Sequence, residues 1–178
     1  MRSTPSSAEK AVRGTPVVSE RKRPSLPLRG GCACGAVRYQ VRAMPLFLYA
    51  CHCTDCQRHS GSAFSMGLPV PAPAFQLERG QAKAWRFVGA AGTATRFWFC
   101  ETCGGRIWGE RDGSERVNVR AGTLDDTSWL LPLAHYFMRS AQPWQRPARR
   151  RCRLLCHPAE RNRDLTLVNA WRELWQSE

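Results

Sequence analysis

The sequence predicts a mainly β domain followed by one C-terminal helix. Several short stretches alternate apolar and polar residues, and glycine or proline separates many of them. That period of two is typical of half-buried strands. Three cysteine-rich turns lie among these stretches, and one amphipathic stretch follows them near the end of the chain. We therefore expect a sheet domain whose turns carry the cysteines.

Residues 1–29 are predicted to be a disordered, basic tail. They are rich in serine, proline and arginine, and they carry seven basic and two acidic residues without an apolar period. No apolar run after Met1 resembles a secretory signal, and no stretch approaches the roughly 20 apolar residues that span a membrane. The chain has nine cysteines. Without a secretion signal, they predict reduced thiols and a cytoplasmic protein.

The first predicted strand runs over residues 36–42, where Val37, Tyr39 and Val41 alternate with polar side chains. Pro69, Pro71 and Pro73 are expected to end the strand that precedes them and to exclude a central strand after it. The other strands are predicted at 46–49, 64–70, 75–77, 84–87, 95–99, 116–120 and 133–138.

One helix is predicted, from Asp164 at its N-cap to Gln176. Its apolar residues recur at helical spacing and form one stripe: Leu167, Val168, Trp171, Leu174 and Trp175. We expect this stripe either to dock on the sheet or to associate with a second copy. No other stretch predicts a helix convincingly.

The cysteines up to residue 103 occur in three close groups: Cys32 and Cys34, then Cys51, Cys53 and Cys56, then Cys100 and Cys103. Thiols spaced two or three residues apart can converge on one point, which favours a metal such as zinc over disulfides. The two pairs can complete a closed four-sulfur structural zinc site, and the other three thiols can form a zinc site with an open position. Other groupings remain open, and His52, His59 or His135 could supply a fourth ligand.

The net charge of +13 is unevenly distributed. Residues 30–145 carry twelve basic and eight acidic residues, and two zinc ions on seven thiolates would leave them at about +1. Residues 146–178 hold five arginines between Arg146 and Arg153, followed by the helix. We interpret Cys152 and Cys156 as free thiols. Nucleic-acid binding is therefore unfavourable for the domain and conceivable for the two tails.

Five motifs resemble the glutathione-dependent formaldehyde-activating family, which is grouped with the centromere protein V domain. In chain order they are 31–39, 51–64, 99–104, 121–126, and Pro132 with His135. They cover about residues 30–145, so we divide the chain into the tail 1–29, a zinc-binding β domain 30–145, and an arginine-rich extension 146–178. The resemblance implies an Mss4-like, zinc-stapled tent of antiparallel sheets. Gln57 departs from the basic residue more usual in the family.

The resemblance also implies a carbon–sulfur lyase that reversibly joins formaldehyde and glutathione to S-hydroxymethylglutathione. It implies two zinc ions per chain, one structural on Cys32, Cys34, Cys100 and Cys103, and one functional on Cys51, Cys53 and Cys56. Candidate catalytic residues are these last three cysteines with His52, Arg58 and His135. Candidate contacts to the glutathione cosubstrate are Arg58, Ser60 and Gly61.

Two other functions remain open from the sequence. A zinc-stabilised β domain can present a surface to a protein or nucleic acid, with the basic tails adding salt-sensitive affinity. A related lyase can act on a different thiol adduct, because membership of a family fixes a site better than its substrate. The expected partners of the enzyme are a small-molecule thiol and an aldehyde.

Overall fold

The computed structural model describes residues 23–89, 92, 94–145, 154–155 and 161–176 of the chain. Most of the predicted tail, residues 1–22, lies outside the described residues. So do the arginine-rich stretch 146–153, with Cys152, and also Cys156. The division of the chain into three segments therefore stays a prediction.

The mainly β prediction is confirmed. The described residues form eleven strands and two α-helices: β1 Leu28–Gly31, β2 Arg38–Val41, β3 Tyr49–Cys51, α1 Thr54–Ser60, β4 Ser65–Pro71, β5 Phe75–Arg79, β6 Lys83–Val88, β7 Ala94–Phe99, β8 Arg106–Arg111, β9 Arg116–Arg120, β10 Ala134–Tyr136, β11 Leu154–Leu155 and α2 Arg161–Gln176. Within the described chain, neither helix is long and apolar enough to cross a membrane.

The strands form a small and a large sheet. The small sheet has the order β1-β2-β5, and the large sheet has the order β11-β10-β3-β4-β9-β8-β7-β6. All neighbours pair antiparallel except β10, which lies parallel to β3 and to β11. The sheets meet where the Phe75 ring of β5 lies 5.0 Å from the Trp108 ring of β8. The core therefore lies between them.

Alternation predicted the buried side of several strands correctly. Val37, Tyr39 and Val41 of the first predicted strand are buried in the core. On β9, whose predicted bounds are also observed, Val117 and Val119 are buried while the residues between them are half-buried. β9 follows the period of two because one face meets the core and the other does not. β2 departs from it, because Gln40 between Tyr39 and Val41 is also buried.

The prediction from the prolines is confirmed, because β4 ends at Pro71 and the next strand, β5, lies at an edge of the small sheet. Pro69 nevertheless lies within β4, which is a central strand between β3 and β9. The backbone N–H and the carbonyl oxygen of one residue in a β-strand point towards the same neighbouring strand. The oxygen of Pro69 accepts from the amide of Leu46, on the side where the chain has not yet entered β3. The missing N–H of Pro69 therefore faces away from the ladder with β9, which stays intact.

The C-terminal helix is confirmed, but it begins at Arg161 and not after Asp164. Asp164 therefore lies inside the first turn and is not the N-cap. The helix docks on the domain, since Leu167, Val168 and Trp171 are buried in the common core. Its Trp171 and Trp175 rings lie 6.2 Å from the Trp129 ring.

Gly30 of β1 has no room for a side chain. A Cβ there would lie 2.5 Å from the carbonyl oxygen of Thr123 and even closer to the Tyr39 hydroxyl, which is hydrogen-bonded to Thr123 at 2.8 Å. We expect Gly30→Ala to lower the free energy of unfolding by about 1–3 kcal/mol, as overpacking does. Urea unfolding measures the change. Gly122→Ala, which meets nothing within 4 Å, is the control and should unfold like the wild type.

Candidate metal centres

Four cysteines from two distant turns come together at one end of the molecule. Cys32 and Cys34 lie in the turn between β1 and β2, and Cys100 and Cys103 lie in the turn between β7 and β8. All four sulfurs lie within 4.8 Å of one another, with Cys34 3.4 Å from Cys32 and 3.7 Å from Cys100. Disulfides would need about 2.05 Å. Tetrahedral zinc with 2.3 Å bonds would separate its sulfurs by about 3.8 Å, so this four-thiol centre fits zinc.

The backbone of both turns is shaped around these sulfurs. Gly35 and Gly104 follow the second cysteine of each pair and have positive φ of 75° and 70°, a conformation that glycine adopts without strain. The amide of Val37 donates to the sulfur of Cys32 at 3.2 Å. Burial raises the pKa of Cys32, but the Val37 amide and the neighbouring thiols donate to its sulfur and bring that pKa down to about 6. The centre therefore holds a thiolate readily at Cys32.

A second group, the three-thiol centre, consists of Cys51, Cys53 and Cys56. Cys51 ends β3, Cys53 is the N-cap of α1, and Cys56 lies in the first turn of that helix. The sulfurs of Cys51 and Cys53 are 3.6 Å apart, and the sulfur of Cys53 accepts from the amide of Cys56 at 3.3 Å. The structure thus separates the seven cysteines into the four and the three that their spacing predicted.

The protonation of the three-thiol centre also favours a cation. The thiols of Cys51 and then Cys56 donate to the sulfur of Cys53 and lower its pKa, and the same bond to Cys53 raises the pKa of Cys51. The cluster therefore carries one negative charge readily and further charges only at a cost. A divalent ion removes that cost, because metal binding displaces protons from thiols. Three converging sulfurs of this kind fit zinc.

The helix α1 is a correction to the prediction of a single helix. Its seven residues show no apolar stripe, and none of them is buried. It begins at the Cys53 cap and ends at Gly61, whose φ is 59°. The predicted glutathione contacts Ser60 and Gly61 lie at this end, where the Ser60 hydroxyl donates to the carbonyl of Cys56 at 2.7 Å. Arg58 is exposed on the same helix.

No histidine joins the three sulfurs among the residues that the structure describes. His52 is fully buried, and its Nε2 lies 2.9 Å from Nδ1 of His135 on β10. Burial lowers the pKa of both rings, which keeps them neutral. His59 instead packs on the rings of Trp85, Phe87 and Phe97, at 5.1 to 5.6 Å.

Gln57 has an internal role. Its amide nitrogen donates to the carbonyls of His52 at 2.6 Å and Ser140 at 2.7 Å, and its amide oxygen accepts from Gln142 at 2.8 Å. The side chain therefore joins α1 to the loop before it and to the segment after β10. Gln57, which replaces the basic residue more usual at this position, therefore has a structural role in this chain.

The structure brings further polar residues beside the three-thiol centre that the sequence analysis did not single out. Ser65 lies directly opposite Cys51 across β3 and β4, and Arg120 of β9 contacts its hydroxyl. Asn118, two residues before Arg120, donates to the Tyr49 hydroxyl at 2.5 Å. The sequence alternation of β9 could have indicated these two residues, because Asn118 and Arg120 lie on the face opposite to the buried Val117 and Val119. A separate cleft of about 450 Å³ lies near Asp112 and Arg116, and no cysteine lines it.

These features define a class: a two-sheet β protein with one four-thiol and one three-thiol cluster, each able to hold a metal ion. The chain belongs to the glutathione-dependent formaldehyde-activating enzyme family, whose model matches residues 27–140. A crystal structure of a Rhodobacter sphaeroides protein is 24% identical and has a TM-score of 0.45, and the match covers 55% of this chain and 88% of that one. A search of curated proteins found no significant match.

Proposed function

We propose that the chain is a zinc-dependent carbon–sulfur lyase that reversibly joins formaldehyde and glutathione to S-hydroxymethylglutathione. The observation that carries the proposal is the three-thiol centre, in which three sulfurs converge and no fourth protein donor joins them among the described residues. A metal centre with three protein ligands keeps a position for a substrate. Membership of the family supports the same chemistry.

Cys51, Cys53 and Cys56 would hold the functional ion. Zinc bound there would supply an open coordination position and lower the pKa of a thiol that enters it. Cys51 is buried, whereas Cys53 and Cys56 are half-buried, so the centre has an accessible side. The four-thiol centre already has a complete set of ligands, so its role in this proposal is structural.

The reaction itself is an addition to a carbonyl. The thiolate sulfur of glutathione forms a bond to the formaldehyde carbon, the π electron pair moves to the oxygen, and the oxygen takes a proton from water. The reverse reaction breaks the same carbon–sulfur bond. What the chain contributes is proximity, because holding the thiol in one place and orientation raises its effective concentration.

The chain fixes the turn between Cys51 and Cys53 through the residue between them. The amide of His52 donates to the carbonyl of Tyr136 at 2.9 Å, and its own carbonyl accepts from Gln57. Its ring meets the ring of His135. His52 and His135 are positioning residues in this proposal, because they hold the backbone that carries two of the three sulfurs.

Cys53→Ser tests the function. We expect zinc content to fall from two ions to one per chain, and the acceleration of S-hydroxymethylglutathione formation over the uncatalysed reaction to be lost. Exchange between free glutathione and the adduct, followed by NMR, measures the rate, and metal analysis measures zinc. Cys156→Ser, outside both groups in the sequence, is the control and should keep wild-type values. Full acceleration in Cys53→Ser, or a single zinc in the wild type, would contradict the proposal.

A lyase for another thiol adduct is a second candidate, and Gln57 is the observation that favours it. Because its amide is used in three internal hydrogen bonds, Gln57 does not supply the cationic contact expected of a basic residue there. A panel of thiols, each incubated with formaldehyde and the protein, separates the two candidates. Acceleration confined to a thiol other than glutathione would favour the second.

A further inference from the structure

Two arginine side chains converge on one aromatic ring beside the three-thiol centre. The guanidinium carbon of Arg106, on β8, lies 3.7 Å from the centre of the Phe97 ring, and that of Arg120, on β9, lies 5.7 Å from it. Like charges this close repel each other, and the repulsion is stronger where water is partly excluded. An arrangement of this kind is most stable when an anion lies within reach of both groups.

No carboxylate forms an ion pair with either arginine among the described residues, although the positive charge of Arg120 favours the thiolate form of Cys56 in the three-thiol centre. The ion pairs found there involve other basic residues: Arg29, Arg38, Lys83, Arg86 and Arg96. Nε and Nη2 of Arg106 and Nε of Arg120 are buried and have no hydrogen-bond partner within this part of the chain. Leaving buried charged donors unpaired is expensive, whereas a carboxylate can accept two parallel hydrogen bonds from a guanidinium.

The register of the large sheet places this pair next to the metal ligands. Cys51 lies opposite Ser65, and Gly67 lies opposite both Tyr49 and Arg120. Arg120 therefore belongs to the face that carries the side chain of Cys51, and Arg106 lies beside it because both guanidinium groups contact the Phe97 ring. Neighbouring strands are about 4.8 Å apart, so β9 lies roughly 10 Å from β3, and the Arg120 side chain reaches back to Ser65 on the strand between them. A small thiol molecule is long enough to span the distance between β3, which carries Cys51, and β9, which carries Arg120.

The same face has an apolar side, formed by α1 and the outer strands. His59 of α1 packs on Trp85, Phe87 and Phe97. Trp85 is nonetheless 45% exposed. The face thus offers sulfur ligands at one end, two cations next to them, and aromatic surface beyond. An elongated ligand with a thiol, a carboxylate and an apolar stem would be complementary to that order.

We propose that Arg106 and Arg120 bind a carboxylate of the thiol substrate while its sulfur lies at the three-thiol centre. This deepens the proposed function and rests on it, because it assigns the substrate class: thiols that carry a carboxylate within a short chain of the sulfur. The pair takes the role that sequence analysis expected of Arg58. Phe97 holds both guanidinium groups in place by contact with its ring face.

The test measures binding and does not depend on turnover. Isothermal titration calorimetry of the zinc-loaded protein compares glutathione with glutathione diethyl ester, in which both carboxylates are esterified. We expect the wild type to prefer glutathione by at least about tenfold. In Arg106→Gln and in Arg120→Gln, affinity for glutathione should fall roughly 10- to 100-fold, while affinity for the ester changes less than about threefold.

Arg86→Gln is the matched control, since Arg86 is exposed on β6 and its guanidinium lies 3.6 Å from Asp112. It should bind both ligands like the wild type. Arg106→Lys and Arg120→Lys keep a charge and an apolar stem but lose the planar fork. These lysine variants test the proposal even if the glutamine variants fail to fold. Their affinity for glutathione should still fall by at least about threefold, while their affinity for the ester should not.

Three results would overturn the proposal: a wild type without preference for glutathione, equal losses for both ligands, or variants that lose a zinc ion. In the last two cases the arginines serve only the fold or the charge of the thiolates. A failure of this proposal can be distinguished from a failure of the proposed function. Arginine-dependent binding of glutathione without acceleration of adduct formation would support the subsite and contradict the activity. Acceleration without arginine-dependent binding would contradict the subsite alone.

Discussion

Cys100→Ser is expected to unfold the protein. Cys100 follows β7 of the large sheet and is buried, and its sulfur lies 3.7 Å from that of Cys34, which follows β1 of the small sheet. Structural zinc binding is worth about 10–16 kcal/mol near neutral pH, and domains of this kind are stable by about 5–15 kcal/mol. Loss of one ligand from the four-thiol centre therefore removes an amount comparable to the whole stability.

Near-UV circular dichroism and thermal unfolding, together with zinc analysis, measure this effect. The comparison is Cys53→Ser, which removes one sulfur from the three-thiol centre and should stay folded with one zinc ion. A Cys100→Ser protein that melts like the wild type would show that the four-thiol centre does not hold the two sheets together. Equal destabilisation by both substitutions would show that both centres are structural.

Trp171→Ala should lower the free energy of unfolding by about 3–5 kcal/mol, the range for removing a large buried aromatic side chain. Trp171 is 1% exposed and lies among the rings of Trp129 and Trp175, at 6.2 Å and 5.8 Å. The substitution leaves a cavity between α2 and the rest of the core. Urea unfolding followed by far-UV circular dichroism measures the loss without relying on tryptophan fluorescence.

Two further variants make this result specific. Trp144→Ala removes a tryptophan that is 68% exposed and should change stability by no more than about 0.5 kcal/mol. Trp171→Phe keeps a ring and removes an indole N–H that has no partner among the described residues. It should cost less than about 1.5 kcal/mol. A small loss in Trp171→Ala would mean that α2 contributes little to the fold.

The sequence predicted most accurately the features that depend on local spacing. The alternation of Arg116–Arg120 specified both the bounds of β9 and its buried side. The cysteine spacing favoured the grouping that is observed, because a pair on a tight turn can aim at one point. It left other groupings open, since Cys34 and Cys100 are far apart in the chain and only the fold brings them together. The apolar stripe with Trp171 likewise predicted α2, since a helix with one apolar face needs a surface to cover.

Features that depend on distant neighbours could not be predicted in this way. The helix α1 has no apolar period and follows from the Cys53 cap and the left-handed Gly61. Pro69 is tolerated in a central strand only because the chain has not yet entered β3 on that side. Arg120 looks like an ordinary strand charge until the sheet register places it on one face with Cys51, and Arg106 joins it only through the shared Phe97 ring.

The position of α2 in the chain also has a consequence for folding during synthesis. Residues 161–176 leave the ribosome after all the described strands, the last of which ends at Leu155, yet Trp171 completes the core around Trp129. Until that segment emerges, the nascent domain carries an uncovered apolar surface, which is the kind of surface that aggregates or recruits chaperones. We therefore expect ribosome-bound chains that stop before residue 161 to remain protease-sensitive, and to become resistant once α2 has cleared the exit tunnel.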